Sequence, residues 1–164
     1  MKKTIVSSLA VIVLAVFSAV AGPLDDAPFK IVLPGKDWTL DTTTMQAVQG
    51  VSLVATLTKT GSTLKSVVVR TTLPGPDAAT EYFAGIEDSM SNPALKNVTK
   101  ADTTFLGLKA KHLTYEVDRG GQTIYSDTMI FVSGNVGWGI TSIGLASQKD
   151  EINQTLTFYQ KNTH

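Results

Sequence analysis

The sequence predicts an α+β fold: an antiparallel β-sheet of about six to seven strands with helices packed on it. Three observations carry this expectation. Segments rich in Val, Ile, Leu and Thr follow one another across short Gly-containing turns, which implies antiparallel pairing. Two other segments, 78–91 and 148–161, repeat apolar residues at helical spacing. Each such helix has one apolar stripe to bury, and a sheet face is the surface that can bury it.

The chain opens on a segment that does not belong to this fold. Lys2 and Lys3 precede an apolar run from Ile5 to Val20, and Ala19-Val20-Ala21 follows before Gly22. A basic start, an apolar stretch and small residues at an Ala-x-Ala site form a secretory signal peptide. Residues 1–21 are therefore expected to be removed, with the mature chain beginning at Gly22. The run is too short, and too interrupted by Ser7, Ser8 and Ser18, to serve as a membrane span of about 20 apolar residues. A lipoprotein would need a Cys at the cleavage site, and the chain has none. Export implies a periplasmic protein with no membrane span after cleavage.

Residues 22–28 read as an extended leader, and residues 29–162 as a single domain. A core of this size needs no disulfide or metal staple. The absence of Cys excludes thiol catalysis and thiolate metal sites. Without Lys2 and Lys3, 12 basic residues stand against 14 acidic ones, a net −2. No basic run exceeds a pair, so the basic stripe of a nucleic-acid-binding protein is missing.

The elements follow in order. Residues 29–33 alternate as a first strand, closed by Pro34-Gly35. Trp38 and Leu40 return to the core or to the sheet edge. Residues 51–58 and 64–72 form a hairpin, with Gly61 where the turn wants a positive φ. The run Val67-Val68-Val69 suggests a strand covered on both faces. After Pro74-Gly75-Pro76, Asp77 is placed to cap the helix 78–91, which presents Tyr82, Phe83, Ile86 and Met90; Pro93 ends it. Strands follow at 97–106, 108–117, 123–132 and 136–145, joined in part by Gly120-Gly121 and Gly134-Asn135. In the last of these hairpins Phe131 should face Trp138. A final helix at 148–161, capped by Ser147 with Asp150 and Glu151 in its first turn, aligns Ile152, Leu156 and Tyr159.

Several of these stretches resemble DcrB-like envelope proteins. Gly121-Gln122-Thr123-Ile124-Tyr125-Ser126, followed by Gly134-Asn135-Val136-Gly137, is similar to a hairpin of that family. So are Asn92-Pro93-Ala94-Leu95, Val98-Thr99, Leu106-Gly107-Leu108-Lys109 and the opening Phe29-Lys30-Ile31-Val32-Leu33-Pro34. The resemblance covers most of the mature chain and rests on turns and strands, not on catalytic signatures. It implies a PsbP-like α/β/α sandwich in the bacterial cell envelope and no established reaction. Family members anchored as lipoproteins carry a lipidated Cys, which this chain lacks.

Residues able to carry chemistry are few. His112 is the one internal His; on its strand it shares a face with Ala110, Thr114 and Glu116. Glu116 lies four residues on, about 13 Å at 3.3 Å per residue, too far for a strand-local dyad. His164 sits at the terminus. No Gly-x-Ser-x-Gly elbow occurs, and a Ser–His–Asp site would need an acid and a Ser brought to His112 by the fold. Asp25-Asp26 and Asp150-Glu151 are paired carboxylates explained by solvation and by helix capping; a two-carboxylate hydrolase would need distant acids to converge. No Ca²⁺-loop pattern is present, though a weak surface site for Ca²⁺ or Mn²⁺ stays open. Gly137 and Gly139 flank Trp138 on one strand and face away from the indole; they suit close approach of a helix or another backbone, and a ligand in that gap is the sharper alternative. Asn97-Val98-Thr99 and Asn153-Gln154-Thr155 match the glycosylation sequon, but a bacterial-type signal peptide argues against modification of either.

These readings assign no catalytic, cofactor or metal residue. They favour a non-enzymatic periplasmic protein, a protein-binding or envelope-maintenance factor of the DcrB-like type, whose partner is another envelope protein. A small-molecule or lipid carrier is the alternative and requires an apolar pocket of about 300 Å³ or more between sheet and helix. A hydrolase would require His112, an Asp and a Ser in one cleft.

Overall fold

The computed structural model describes residues 18–19, 24–43, 45–48, 50–75 and 77–163. The predicted cleavage site after Ala21 and the terminal His164 lie outside the described residues.

Six long strands make the body of one antiparallel sheet: β5 (Val51–Lys59), β6 (Lys65–Thr72), β7 (Lys96–Phe105), β8 (Leu108–Arg119), β9 (Gln122–Ser133) and β10 (Val136–Leu145), in the order β5-β6-β10-β9-β8-β7. Three short strands extend the β5 side. They are β1 (Ser18–Ala19), β3 (Trp38–Asp41) and β4 (Met45–Val48): β3 and β4 both pair with β5, and β1 pairs with β4. Ser18 and Ala19 belong to the segment that the sequence marks for removal.

Turn chemistry sets the register. Three hairpins close with two-residue loops: Phe105 opposes Leu108, Arg119 opposes Gln122, and Ser133 opposes Val136. Gly134 adopts φ +58°, as the first position of such a loop demands. The β5–β6 loop likewise places Gly61 at φ +71°. Phe131 and Trp138 stand directly opposite each other, both fully buried, as the sequence predicts.

Helix α1 (Ala78–Ser89) connects β6 to β7. Four antiparallel steps separate these strands, so they run parallel and α1 is their crossover. It buries Tyr82 and Ile86, followed by Met90, against Leu113, Tyr115 and Ile130. Asp77 occupies the N-cap position but makes no side-chain cap bond. Gly137 of β10 lies beneath this helix: a Cβ there would sit 2.6–3.0 Å from ring atoms of Tyr82. This is the close helix approach expected of that glycine.

The opposite face carries the larger core, around Phe29, Leu57, Val68, Phe131, Trp138, Ile140 and Ile152. Phe29 touches three rings edge-on, those of Trp138 (5.3 Å), Tyr159 (5.6 Å) and Phe131 (6.1 Å). Burying side chains of this size contributes roughly 1.5–3 kcal/mol each. Trp38 joins this core against Phe158, while Leu40 on the same strand stays exposed.

The C-terminal element differs from the predicted helix 148–161. A 3₁₀ turn (Ala146–Gln148) leads into the short helix α2 (Lys149–Gln154), a second 3₁₀ turn (Thr155–Phe158) and a strand, β11 (Tyr159–Lys161). Ser147 lies inside the first 3₁₀ turn and is not a cap, whereas Asp150 and Glu151 do occupy the first turn of α2. β11 pairs with β2 (Phe29–Ile31), so the predicted first strand forms a separate two-stranded sheet with the C-terminus. Polar side chains fix this arrangement. Tyr159 Oη and Ser66 Oγ lie 2.8 Å apart, Ser142 donates to Ser66 at 2.9 Å, and Ser142 also bonds Thr155. Thr155 donates to the Ile152 carbonyl, and all four side chains are buried. Helical turns on both faces of an antiparallel sheet make an α/β/α sandwich.

Candidate functional site

Among the described residues, two places bring together groups able to do chemistry or to bind. The first is the polar part of the sheet beside α2. β8 carries His112 and Thr114 on this face, and β9 carries Tyr125 and Asp127. The register sets Thr114 opposite Asp127 and Met129 opposite His112, so His112 and Asp127 are diagonal neighbours. His112 Nε2 lies 2.6 Å from Asp127 Oδ1. The acid is buried, its side chain 1% exposed, while the imidazole side chain is 37% exposed. The hydrogen bond and the charge of Asp127 raise the His112 pKa against the opposing effect of desolvation. Burial, and then the same carboxylate, push the Tyr125 phenol up as well; its hydroxyl donates to Asn153 at 2.9 Å.

Sequence reasoning denied His112 a strand-local acid, correctly, but missed this acid on the next strand. Neither Ser142 nor Thr114 completes a hydrolase triad with this pair. In a triad the His stands between acid and nucleophile. Here Ser142 is the residue of β10 opposite Asp127, so the acid lies between the Ser strand and the His strand. Ser142 is also bonded to Ser66 and Thr155. Thr114, the hydroxyl next along β8, is paired with Thr99 at 2.6 Å. The geometry suits a charged His held against a buried carboxylate.

The second place is an open cleft of about 360 Å³ at one end of the sheet. Asp25, Asp26 and Pro28 of the leader line it, with Leu106, Gly107 and Leu108 of the β7–β8 turn, Ser133, Lys161 and Asn162. Asn162 Nδ2 donates to the carbonyls of Ala27 and Phe29, which ties the leader to the C-terminus. Asp26 accepts a bond from Arg70 at 2.5 Å. Leu106 lies at φ +57°, a conformation that costs a non-Gly residue about 1–3 kcal/mol. Its partly buried side chain packs on the main core, which offsets that cost. The sequence pairs Asp25 with Asp26; the fold separates their roles by giving Asp26 to Arg70.

Two further candidates are bonded within the fold. Glu151 pairs with Lys59. Asn97, at φ +50° beside a register shift, donates to Glu116 at 2.7 Å. Among the described residues no three His, Asp or Glu side chains are grouped as a metal site, and no helix is long and apolar enough to cross a membrane.

No family model and no curated protein matches the chain. Its fold is similar to solved structures that include the following two. One is LpqN, involved in cell envelope biogenesis of Mycobacterium tuberculosis: 10% identity, 91% of this chain and 93% of that chain, TM-score 0.51. The other is cyanobacterial PsbP (CyanoP) from Synechocystis sp. PCC 6803: 10% identity, 91% of this chain and 95% of that chain, TM-score 0.53. At this identity the likeness is one of fold, and the fold is PsbP-like.

Proposed function

We propose that the chain is an exported, non-enzymatic envelope protein of the DcrB-like type that works by binding another envelope protein. The observation that carries this reading is the cleft. It is open, walled by the leader, one hairpin turn and the C-terminal strand, and it mixes carboxylates, an amine and apolar groups. Such a surface suits an anchoring side chain of a protein partner better than it suits a lipid, which needs an enclosed apolar chamber. At the sheet–helix interfaces, where a carrier would need its pocket, Trp138, Ile152 and Ile86 are fully buried. LpqN, which has the same fold, is described as acting in envelope biogenesis, and the signal-like residues 1–21 supply a route to the same compartment.

The test is capture from periplasm with the mature chain as bait, beside a Lys161→Glu variant. Lys161 is exposed and lines the cleft. The wild type should retain an envelope protein that the variant releases. Equal recovery by both, or recovery of a small molecule alone, would reject this reading. Intact-mass measurement of the same preparation should give a chain beginning at Gly22.

A further inference from the structure

The two edges of the sheet are finished differently. On one side β5 is covered by β3 and β4. On the other, β7 is bonded to β8 alone among the described residues. Eight of its ten residues are exposed; Val98 and Phe105 are half-buried. From residue 99 to 105 it runs without a register break and contains neither Pro nor Gly. Natural sheets blunt open edges with bulges, Pro or charges that repel an incoming strand. The one bulge of β7 lies at its start, between Lys96 and Thr99.

We propose that β7 pairs with β7 of a second copy, antiparallel, about a two-fold axis midway between the two Ala101 residues. Opposed residues of an antiparallel pair point to the same face, so a two-fold axis normal to the sheet must set one residue opposite its own copy. That leaves few choices. An axis at Lys100 sets Lys against Lys, and one at Asp102 sets Asp against Asp; like charges directly opposite destabilise a sheet. An axis at Thr99 or Thr103 runs the pairing into the bulge or into the Leu106-Gly107 turn. The axis at Ala101 sets Lys100 against Asp102 of the second copy, Thr99 against Thr103 and Val98 against Thr104, each pair occurring twice. The charge pattern of this edge is thus complementary to itself in one register.

Lys100 and Asp102 are placed to share such a pair. Lys100 Nζ donates to the Glu87 carbonyl of α1, at 3.0 Å, and the Asp102 side chain is 86% exposed although it accepts from Lys111. The dimer joins two sheets into one continuous sheet and covers both β7 edges. Its interface is isologous, as closed two-fold assembly requires.

The chain has no Cys, so single thiols report the register without background. The protein, produced from its full-length coding sequence, carries Ala101→Cys, Thr103→Cys or Thr99→Cys, all exposed edge positions. Under mild oxidation Ala101→Cys should form a covalent dimer. Thr103→Cys alone should not, but mixed with Thr99→Cys it should. Sedimentation of the wild type should show a monomer–dimer equilibrium that Lys100→Asp weakens at least about tenfold. Adding Asp102→Lys to Lys100→Asp should restore it, which separates lost pairing from lost folding. A wild type that sediments as a monomer at its highest soluble concentration overturns the proposal. So does a dimer indifferent to both charge changes, or equal cross-linking of Ala101→Cys and Thr103→Cys alone.

Discussion

His112 illustrates what one side chain can be made to do by its strand neighbours. Its imidazolium is stabilised by Asp127, so its folded-state pKa is above the ordinary 6.5. A raised His pKa means that the folded state holds its proton more tightly than the unfolded chain does. That stability is fully present below about pH 6.5 and is lost as pH rises through the folded-state pKa. Denaturant titrations at pH 5.5 and at pH 8.5 should therefore show a loss at the higher pH that His112→Asn does not share. His112→Ala should cost about 1–3 kcal/mol at pH 6, because it leaves a buried carboxylate without a charged donor. Gly137 makes a second residue-scale case. Gly137→Ala should cost roughly 1–3 kcal/mol by forcing Tyr82 and its helix to shift. In a double-mutant cycle with Tyr82→Leu the two losses should be less than additive. Gly137 was legible in the sequence because a small residue beside a core Trp implies close approach. The His112–Asp127 contact was legible in principle. The Gly120-Gly121 turn puts Thr114 opposite Asp127, and one diagonal step reaches His112. Strand spacing within β8 alone could not reveal it.

Elements closed by two-residue turns were read from the sequence to within a residue or two at most ends, because each turn fixes the register of both flanking strands. The C-terminus was not, and the reason is physical. Ile152, Leu156 and Tyr159 recur at helical spacing, so periodicity extends the helix through all three. Tyr159 instead joins a strand whose partner, Ile31, comes from the other end of the domain. No local pattern encodes a partner at that separation. What holds Tyr159 there is its ring on Phe29 and its hydroxyl on the Ser66–Ser142–Thr155 chain. Tyr159→Phe should thus lower stability by about 0.5–1.5 kcal/mol in chemical unfolding, the net worth of a buried hydrogen bond. Gln160→Ala, on the exposed side of the same short strand, should change little. Equal effects of the two would show that the hydroxyl network does not secure β11.

For the whole molecule, the fold was legible and the role was not, since turns, strands and stripes encode packing while function rests on surface groups that the chain assembles from distant segments. The cleft gathers Asp25 of the leader, Leu106 of a hairpin turn and Lys161 of the last strand. No spacing in the sequence connects these three. The account of the molecule as a binding protein without a reaction makes opposite claims about two surface-accessible residues: Lys161 matters because it lines the recognition cleft, and His112 matters only for stability. The measurement that tests this most directly is complementation of a strain lacking the chain, scored as growth under detergent challenge to the envelope, with each variant first shown to be folded and present at wild-type level. The account expects His112→Asn to restore growth like the wild type and Lys161→Glu to fail; failure of His112→Asn together with full rescue by Lys161→Glu would contradict it and return the His112–Asp127 pair to the centre of the chemistry.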